Sequence, residues 1–299
     1  MALSPKEEVQ RVLRQAPELK LAHSPDSDDA FMFYALATRK IATSGIKFTH
    51  VLEDIQSLNQ KALQGVYDIS AVSFFAYPFL ADQYMLLPCG ASFGERYGPM
   101  IVSKSPIAAD NLKQRRVAVP GKLTTAYLTL LLYEPEVDPI FVSFDEVLPC
   151  VARGEAEAGV VIHEGQLTYA QEGLNKVVDL GEWWHQATGL PLPLGGNVIR
   201  RSLGKSTVQS VAKVLRESIR YSLEHREEAL EYAMQFARGL DHSTADHFVS
   251  MYVNHWTLDY GEKGRKAVQT LLDHAFDKGL IPSKVTAEFV EYPEGAALQ

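Results

Sequence analysis

Two patterns of apolar and polar positions alternate along the first two thirds of the chain. One consists of short, uninterrupted aliphatic runs, which are typical of strands buried within a sheet. The other brings an apolar residue back every three or four positions, which is typical of amphipathic helices. The first pattern predicts strands at 19–23, 46–52, 68–72, 84–87, 100–103, 116–119, 139–143, 158–162 and 174–180, and a last strand after Gly195-Gly196.

The helical pattern dominates the last third of the chain. In the first two thirds of the chain, the helical pattern predicts one helix that begins within 24–29 and others at 54–64 and 145–152. A short helical segment also fits 7–15. Strands that alternate with helices, followed by a helical return, predict an α/β fold. The later helices are predicted around 208–223 and at 227–237, 243–254 and 262–278.

Two segments of the sequence follow the same plan. Residues 62–73 and 151–163 each contain a helix end, a glycine, an acidic residue three positions later, an apolar strand and a polar residue at its tip. The polar residues are Ser73 and His163. Ligands of open α/β sheets bind beyond the carboxyl ends of the strands. The repeat therefore predicts two lobes that direct Ser73 and His163 into a shared cleft.

The chain length also favours two lobes, because a single hydrophobic core rarely extends over 299 residues. Glycine-rich stretches near Gly98 and at Gly195-Gly196 are suited to the two places where the chain would cross between lobes. We expect a large lobe of 19–97 with 200–299 and a small lobe of 98–199. Residues 1–18 would form an amino-terminal extension.

Composition and charge narrow the functional classes. A net charge of −8 and a pI near 5.6 argue against a nucleic-acid partner. No apolar run is long enough to span a bilayer, and the first residues lack the apolar centre of a secretory signal. Only Cys89 and Cys150 are present, which favours buried, reduced thiols. We expect a cytoplasmic protein, monomeric or homodimeric, with no membrane partner.

His163 is the candidate acid–base residue. An imidazole at a strand end can exchange a proton near neutral pH, because its ordinary pKa is about 6.5. The alternative is a histidine that caps a helix or satisfies a hydrogen bond in the core. A zinc hydrolase is not indicated, because Leu167 stands where a second histidine of a His-Glu-x-x-His motif would be. We expect no metal site.

Two turns are candidate ligand walls. In the first, 117–127 has the form strand, tight turn and helix, and Thr124 or Thr125 would cap the helix, whose free N–H groups can hold a carboxylate. In the second, the polar run 24–29 opens a helix and contains Asp28. The alternative for both turns is ordinary helix capping. The second turn does not fit a calcium loop, because Phe31 replaces the required glycine.

The order of elements resembles the type II periplasmic-binding-protein fold, with two α/β lobes, mixed sheets, flanking helices and two interlobe crossings. Several strings over 19–279 are more specific and resemble the 1,4-dihydroxy-6-naphthoate synthase family of menaquinone biosynthesis. They are Leu52-Glu53-Asp54, the segments 117–121 and 124–127, the segment 158–164, the segment 178–181 with Trp183-Trp184, and the segment 189–195.

The resemblance implies a cytosolic carbon–carbon lyase of the futalosine route that releases 1,4-dihydroxy-6-naphthoate from cyclic dehypoxanthinyl futalosine. It implies no metal or organic cofactor. By position, His163 matches the family's proposed catalytic histidine. Thr125 and Ala126 match the helix-start residues that hold an acidic ligand, and Ser73 matches a polar contact from the other lobe. Thr124 and Asp28 complete the expected substrate-binding set.

One position departs from the family pattern. The family usually has Ser-Pro-x-Pro-Asn-Asp after the first strand, whereas this chain has a carboxylate at Asp28 in place of the amide. The change removes a hydrogen-bond donor and adds a charge close to an anionic ligand. Two alternatives therefore stay open, a chorismate-dehydratase-like paralogue that acts on another carboxylate and a non-catalytic solute-binding protein.

Overall fold

The strands form two mixed sheets in the computed structural model, which describes residues 17–292. The predicted strands are present, with shifts of one to a few residues at their ends, and one additional short strand, β5, lies in the glycine-rich stretch before Gly98. In chain order the strands are β1 (Glu18–His23), β2 (Lys47–Leu52), β3 (Ile69–Ser73), β4 (Tyr84–Leu86), β5 (Ser92–Gly94), β6 (Met100–Ser103), β7 (Arg116–Val119), β8 (Asp138–Phe141), β9 (Ala158–Val161), β10 (Asn175–Asp179) and β11 (Leu192–Arg200).

Helices flank the sheets and make up most of the chain after β11. The described residues do not include the helical segment predicted at 7–15 or the carboxyl-terminal residues after 292. The helices are α1 (Ser27–Ala37), α2 (Ile55–Leu63), α3 (Thr125–Tyr133), α4 (Val147–Arg153), α5 (Gly165–Thr168), α6 (Leu180–Thr188), α7 (Lys205–Glu224), α8 (Arg226–Ala233), α9 (His242–Tyr252), α10 (His255–Leu258) and α11 (Gly261–Asp277).

The first sheet has the strand order β2-β1-β3-β11-β4, and β5 also pairs with β11. β1 is parallel to both β2 and β3, so the carboxyl ends of these strands lie at one edge of the sheet. β11 is antiparallel to β3, with Gly195 opposite Ser73. This edge carries the turn that leads from β1 into α1 and the polar tip of β3.

The second sheet has the order β10-β6-β9-β7-β8. All four residues of β9 are buried, as its aliphatic sequence predicts. Its two neighbours in the sheet run in opposite directions. β9 is parallel to β7 and antiparallel to β6.

The chain passes between the sheets twice, at 95–99 and at 180–191. The expectation of a return crossing at Gly195-Gly196 is wrong, because these glycines lie within β11 and pair with β3. Residues 192–199, which the sequence-based division placed in the small lobe, thus belong to the first sheet. The lobe limits themselves remain a prediction.

The aromatic segment after β3 is part of the core. Phe74, Phe75 and Tyr77 are buried in a cluster that packs the first sheet against α11. Cys89 and Cys150 are both buried free thiols, as expected. Burial raises the pKa of Cys89 to about 12, so its thiol is protonated and unreactive at neutral pH.

Candidate active site in the cleft between the sheets

A cavity of about 140 Å³ lies where the carboxyl edge of the first sheet faces the second sheet. The first sheet contributes the turn after β1, the tip of β3 and part of β11. The second sheet contributes the start of α3 and residues on either side of His163. The cavity therefore draws its walls from both parts of the chain, as expected for a ligand site between lobes.

The start of α3 is an anion-binding element. The Thr124 hydroxyl caps the helix, since it accepts a hydrogen bond from the Tyr127 amide at 3.2 Å and donates to the Gly121 carbonyl at 2.9 Å. The amides of Thr125 and Ala126 precede the first intrahelical bond and have no acceptor among the described residues. Both residues line the cavity. Free amides at a helix start attract carboxylate or phosphate oxygens.

The turn before α3 lies close against α2 of the first lobe. The Gln56 side chain accepts from the Leu123 amide at 3.1 Å. A Cβ atom on Gly121 would overlap the Gln56 side chain, so a glycine is needed for this approach. The anion-binding end of α3 is thus held in place from the opposite lobe.

The Thr125 hydroxyl is engaged by two protein groups, although Thr125 is one of the residues expected to bind the substrate. It donates to the Leu194 carbonyl at 2.5 Å and accepts from the Phe75 amide at 3.4 Å. Both partners belong to the first lobe. The hydroxyl therefore ties α3 to β11, and the backbone amide is the group that Thr125 offers to the cavity.

Ser73 lines the cavity as predicted, and Asn59 fixes its orientation. Asn59 Oδ1 accepts from the Ser73 amide at 2.8 Å, and Asn59 Nδ2 donates to Ser73 Oγ at 3.1 Å. Because Oγ already accepts from Asn59, its own proton is available for a ligand. The Ser73 hydroxyl is a third hydrogen-bond donor in the cavity, beside the Thr125 and Ala126 amides, and is supplied by the first lobe.

Three carboxylates lie at the start of α1, at its cap position and in its first turn. Asp29 accepts from the Ser24 amide at 2.7 Å. Asp26 accepts from the Ser24 hydroxyl and forms an ion pair with Arg238. Although Asp26 occupies the cap position of α1, its side chain makes no capping bond, so the capping alternative is wrong here. Asp28 lines the cavity, and its carboxyl group accepts a hydrogen bond from the Asp29 backbone.

Burial and neighbouring negative charges raise the pKa values of Asp28 and Asp29. Burial, and then the charges of Asp29, Asp26 and Glu164, raise the pKa of Asp28 well above its ordinary value. Burial raises the pKa of Asp29 to about 7, against the opposing effect of the Ser24 amide. Both carboxyl groups therefore keep their protons to a higher pH than a solvated aspartate does.

His163 lies just outside the cavity in this structure, contrary to the expectation that it is directed into the cleft. Its Nδ1 atom accepts from the Gly165 amide at 2.9 Å, which places the ring proton on Nε2, and Nε2 donates to the Phe144 carbonyl at 3.0 Å. Its chain neighbour Ile162 lines the cavity, and the imidazole does not. Burial lowers the pKa of His163, so the ring is neutral at pH 7.

A buried pair that the sequence pattern does not reveal closes one side of the cavity. The Tyr252 hydroxyl of α9 donates to Gln166 Oε1 at 2.7 Å, and Gln166 Nε2 donates to the Val161 carbonyl at 3.1 Å. Periodicity places Tyr252 on the buried face of its helix, but its partner is distant in sequence. The pair connects the carboxyl-terminal helices with the second sheet.

Arg238 connects the two lobes at the edge of the cavity. Its guanidinium pairs with Asp26, lies 3.9 Å from Glu164 Oε2 and stacks 4.4 Å from the centre of the Phe144 ring. Ser27 Oγ adds a 3.3 Å hydrogen bond to Glu164 Oε1. These contacts join the start of α1 to the second sheet's side of the cleft.

Metal and membrane sites are not apparent in the described part of the chain. Among residues 17–292, no three His, Cys, Asp or Glu side chains lie together in a way that would hold a metal ion. Over the same residues, no helix combines the length and apolar character needed to cross a bilayer.

Solved structures of low sequence identity define the class of fold. The alkanesulfonate-binding protein SsuA of Xanthomonas axonopodis pv. citri matches with a TM-score of 0.69 at 14% identity, over 91% of this chain and 97% of that one. The sulfonate-binding protein SsuA of Escherichia coli matches with a TM-score of 0.65 at 15% identity, over 95% and 96%. The chain thus has a periplasmic-binding-protein-like fold.

The sequence comparisons identify the family within this class. The model of the menaquinone biosynthesis family matches residues 19–277, and the chain belongs to that family. It is therefore an enzyme of menaquinone biosynthesis. The 1,4-dihydroxy-6-naphthoate synthase of Thermus thermophilus is 43% identical over 88% of this chain and 95% of its own length. The enzyme of that name from Streptomyces coelicolor is 37% identical over 90% and 96%.

A solved structure agrees with these relatives. Protein AF1704 of Archaeoglobus fulgidus is 45% identical and has a TM-score of 0.85, over 88% of this chain and 98% of its own. The sulfonate-binding proteins, in contrast, share only the fold. The family membership therefore outweighs the alternative of a solute-binding protein.

Proposed function

We propose that this chain is a 1,4-dihydroxy-6-naphthoate synthase, a carbon–carbon lyase that releases the naphthoate from cyclic dehypoxanthinyl futalosine. The observation that carries the proposal is the similarity, over nearly their whole length, to two enzymes of that name. The cleft supports it, because the free amides of Thr125 and Ala126 suit a substrate that carries a carboxylate.

In this proposal the substrate carboxylate binds at the start of α3. The Thr125 and Ala126 amides donate to its oxygens, and the Ser73 hydroxyl donates from the opposite wall. Hydrogen bonds to a charged group contribute about 1.5–3 kcal/mol each. Because these donors are fixed by Thr124, Gln56 and Asn59 before the substrate arrives, little order has to be created on binding.

His163 is the proposed general base. Its neutral ring has one lone pair, on Nδ1, and this atom is held by the Gly165 amide in the present arrangement. To act, the ring has to leave that amide and turn past Ile162 into the cavity. General-base catalysis by such a group contributes about 10²- to 10⁴-fold to the rate.

The test is incubation of the purified chain with cyclic dehypoxanthinyl futalosine, followed by chromatography for 1,4-dihydroxy-6-naphthoate. The same preparation is incubated with chorismate, the substrate of the alternative activity. Formation of the naphthoate with no dehydration of chorismate supports the proposal. Dehydration of chorismate without naphthoate formation would replace it with the chorismate-dehydratase alternative.

A further inference from the structure

We propose that Arg238 is a positioning residue of the reaction, which bridges Asp26 and Glu164 across the cleft and holds in place the groups around the base His163. The inference rests on the proposed function and extends it to a residue outside the cavity. Because Arg238 does not line the cavity, its effect on the reaction has to pass through the groups that it contacts.

Arg238 contacts both neighbours that determine how the His163 ring is held. Its guanidinium lies 4.4 Å from the centre of the Phe144 ring, and that ring lies 5.4 Å from the imidazole in an edge-to-face arrangement. The Phe144 carbonyl also accepts from His163 Nε2 at 3.0 Å. Oε2 of the second neighbour, Glu164, lies 3.9 Å from the guanidinium and 4.0 Å from His163 Nδ1. A displacement of Arg238 therefore reaches the imidazole through two separate contacts.

The charges on the two walls of the cleft explain why a cation is needed here. Asp26 lies at the start of α1, on the side of the first sheet, whereas Glu164 follows β9 of the second sheet. Glu164 is only 4% exposed, and its Oε2 atom has no hydrogen-bond partner among the described residues. Two carboxylates on facing walls repel each other, and more strongly where water is excluded. Arg238 contacts both and offsets this repulsion.

The backbone of Arg238 supports a role for its side chain. Arg238 has φ +50°, in the left-handed region, where a residue with a Cβ atom is disfavoured and glycine is the usual occupant. The ion pair with Asp26 and the contact with Phe144 can offset the cost of this conformation. A disfavoured backbone conformation that is held by side-chain contacts is common at active sites.

The groups that face His163 set the sign of a pH effect. They are Asp26 at the start of α1, Asp145 before α4, Glu164 and Arg238. Burial lowers the pKa of His163, Asp26 raises it, and the positive charge of Arg238 lowers it. A base has to be unprotonated to act, so Arg238 extends the active form to lower pH. Loss of the Arg238 charge therefore raises the pKa of His163, and loss of the Asp26 charge lowers it.

The first test is Arg238→Gln, which removes the charge and keeps a polar side chain. We expect kcat to fall about 10- to 100-fold, because the groups that hold His163 shift. The acid limb, which is the fall of kcat/KM at low pH, reports the base of the free enzyme. It should move up by about half a pH unit to one unit. Arg238→Lys keeps the charge and should leave the acid limb at the wild-type pH.

Arg39→Gln is the matched control. Arg39 also has a left-handed backbone, with φ +58°, but it is exposed and forms no ion pair among the described residues. This variant should keep the wild-type kcat and acid limb. Asp26→Asn completes a double-mutant cycle with Arg238→Gln. Because the repulsion of Glu164 is then removed, the double variant should have a higher kcat than Arg238→Gln alone.

NMR titration of the imidazole gives a readout that does not depend on turnover. The His163 signal is the one that His163→Asn lacks. Its pKa should be higher in Arg238→Gln than in the wild type, and lower in Asp26→Asn. A purely structural contribution of Arg238 would not produce shifts of opposite sign. Thermal melts establish that each variant is folded.

The outcomes separate this inference from the proposed function. If Arg238→Gln keeps the wild-type kcat, or if Arg238→Gln and Arg238→Lys lose activity equally with the acid limb unmoved, Arg238 does not position the base. If the wild type forms no naphthoate, the proposed function has failed, and an unchanged His163 pKa in Arg238→Gln would overturn the bridge as well. Should Arg238→Gln not fold, Asp26→Asn takes its place, and a His163 pKa that does not fall in that variant contradicts the inference.

Discussion

The backbones of Gly98 and Gly181 lie against each other where the two interlobe crossings pass. A Cβ atom added to Gly98 would lie 3.0 Å from the Cα atom of Gly181, and one added to Gly181 would overlap the Tyr97 carbonyl. Gly181 is the second residue of α6, and its amide donates to the Asp179 side chain at 2.8 Å. The absence of side chains at both glycines thus allows two crossings to run in contact, which fixes how the sheets face each other.

Gly181→Ala is therefore expected to destabilise the protein by about 2–3 kcal/mol, because backbone atoms, which cannot move aside singly, occupy the site of the new methyl group. Urea unfolding followed by circular dichroism measures the change. The exposed Gln186 of the same helix provides the control, and Gln186→Ala should remain within about 0.5 kcal/mol of the wild type. Equal stability of Gly181→Ala and the control would show that the crossings can separate without cost.

Two variants together separate the contribution of the Thr125 amide from that of its hydroxyl. Thr125 is the first residue of α3, and Thr124 before it has φ −75° and ψ 143°, a conformation that suits the residue preceding a proline. Thr125→Pro removes both the amide proton and the hydroxyl, whereas Thr125→Ala removes the hydroxyl alone. Because a charge-assisted bond is lost, we expect kcat/KM of the proline variant to be about 10- to 100-fold below that of the alanine variant.

Steady-state kinetics on the two variants measure this difference, and their melting temperatures serve as the control for folding. The comparison between variants cancels the loss of the Leu194 contact, which both share. If the proline and alanine variants have the same kcat/KM, the α3 amides do not bind the substrate carboxylate.

His163→Asn is expected to lower kcat by at least about 10²-fold and to leave substrate binding within about tenfold, because the imidazole is the proposed base and does not anchor the carboxylate. Single-turnover kinetics separate binding from the chemical step. A variant with the wild-type rate would mean that the ring only bridges Phe144 and Gly165, as it does in this structure.

His23 makes the free energy of unfolding decrease as pH falls. Burial and the neighbouring His50 lower the pKa of His23 to about 3, compared with about 6.5 in an unfolded chain. Between these values the unfolded chain binds more protons, so the contribution of His23 is complete above pH 6.5 and is lost as pH falls. The raised pKa values of Asp28 and Asp29 act in the opposite sense, so the comparison must be made against a variant.

As the pH is lowered from 6 to 4.5, we expect the free energy of unfolding of His23→Gln to increase relative to that of the wild type by about 1.4 kcal/mol for each pH unit. Urea unfolding at several pH values measures it. His242→Gln, at an exposed position, should give a curve parallel to that of the wild type. A parallel curve for His23→Gln as well would mean that His23 takes up its proton in the folded state.

Much of the fold follows from local patterns. Aliphatic runs and helical spacing are set by residues near in sequence, so strands such as β9 and helices such as α7 are predicted correctly. The sequence does not reveal β5, because a strand of three residues that pairs with β11 depends on a distant partner. For the same reason the return crossing was predicted at Gly195-Gly196, whereas these glycines are within β11.

The site was predictable where one segment supplies all of its interactions. Thr124 caps α3 and leaves two free amides because the strand, turn and helix are contiguous. The roles of Thr125 and His163 depend on what lies across the cleft, and there the hydroxyl bonds to Leu194 and the imidazole to Phe144. Hydrogen bonds between residues far apart in the chain leave no periodic trace, and Gln166 with Tyr252 was missed for that reason.

The central claim is that the cleft cleaves a carbon–carbon bond in a carboxylate substrate, and one measurement tests it most directly. Purified chain is mixed with cyclic dehypoxanthinyl futalosine, and the formation of 1,4-dihydroxy-6-naphthoate is followed with time and with enzyme concentration. We predict naphthoate formation at a rate proportional to the enzyme. Recovery of the substrate unchanged from a folded preparation would contradict the account.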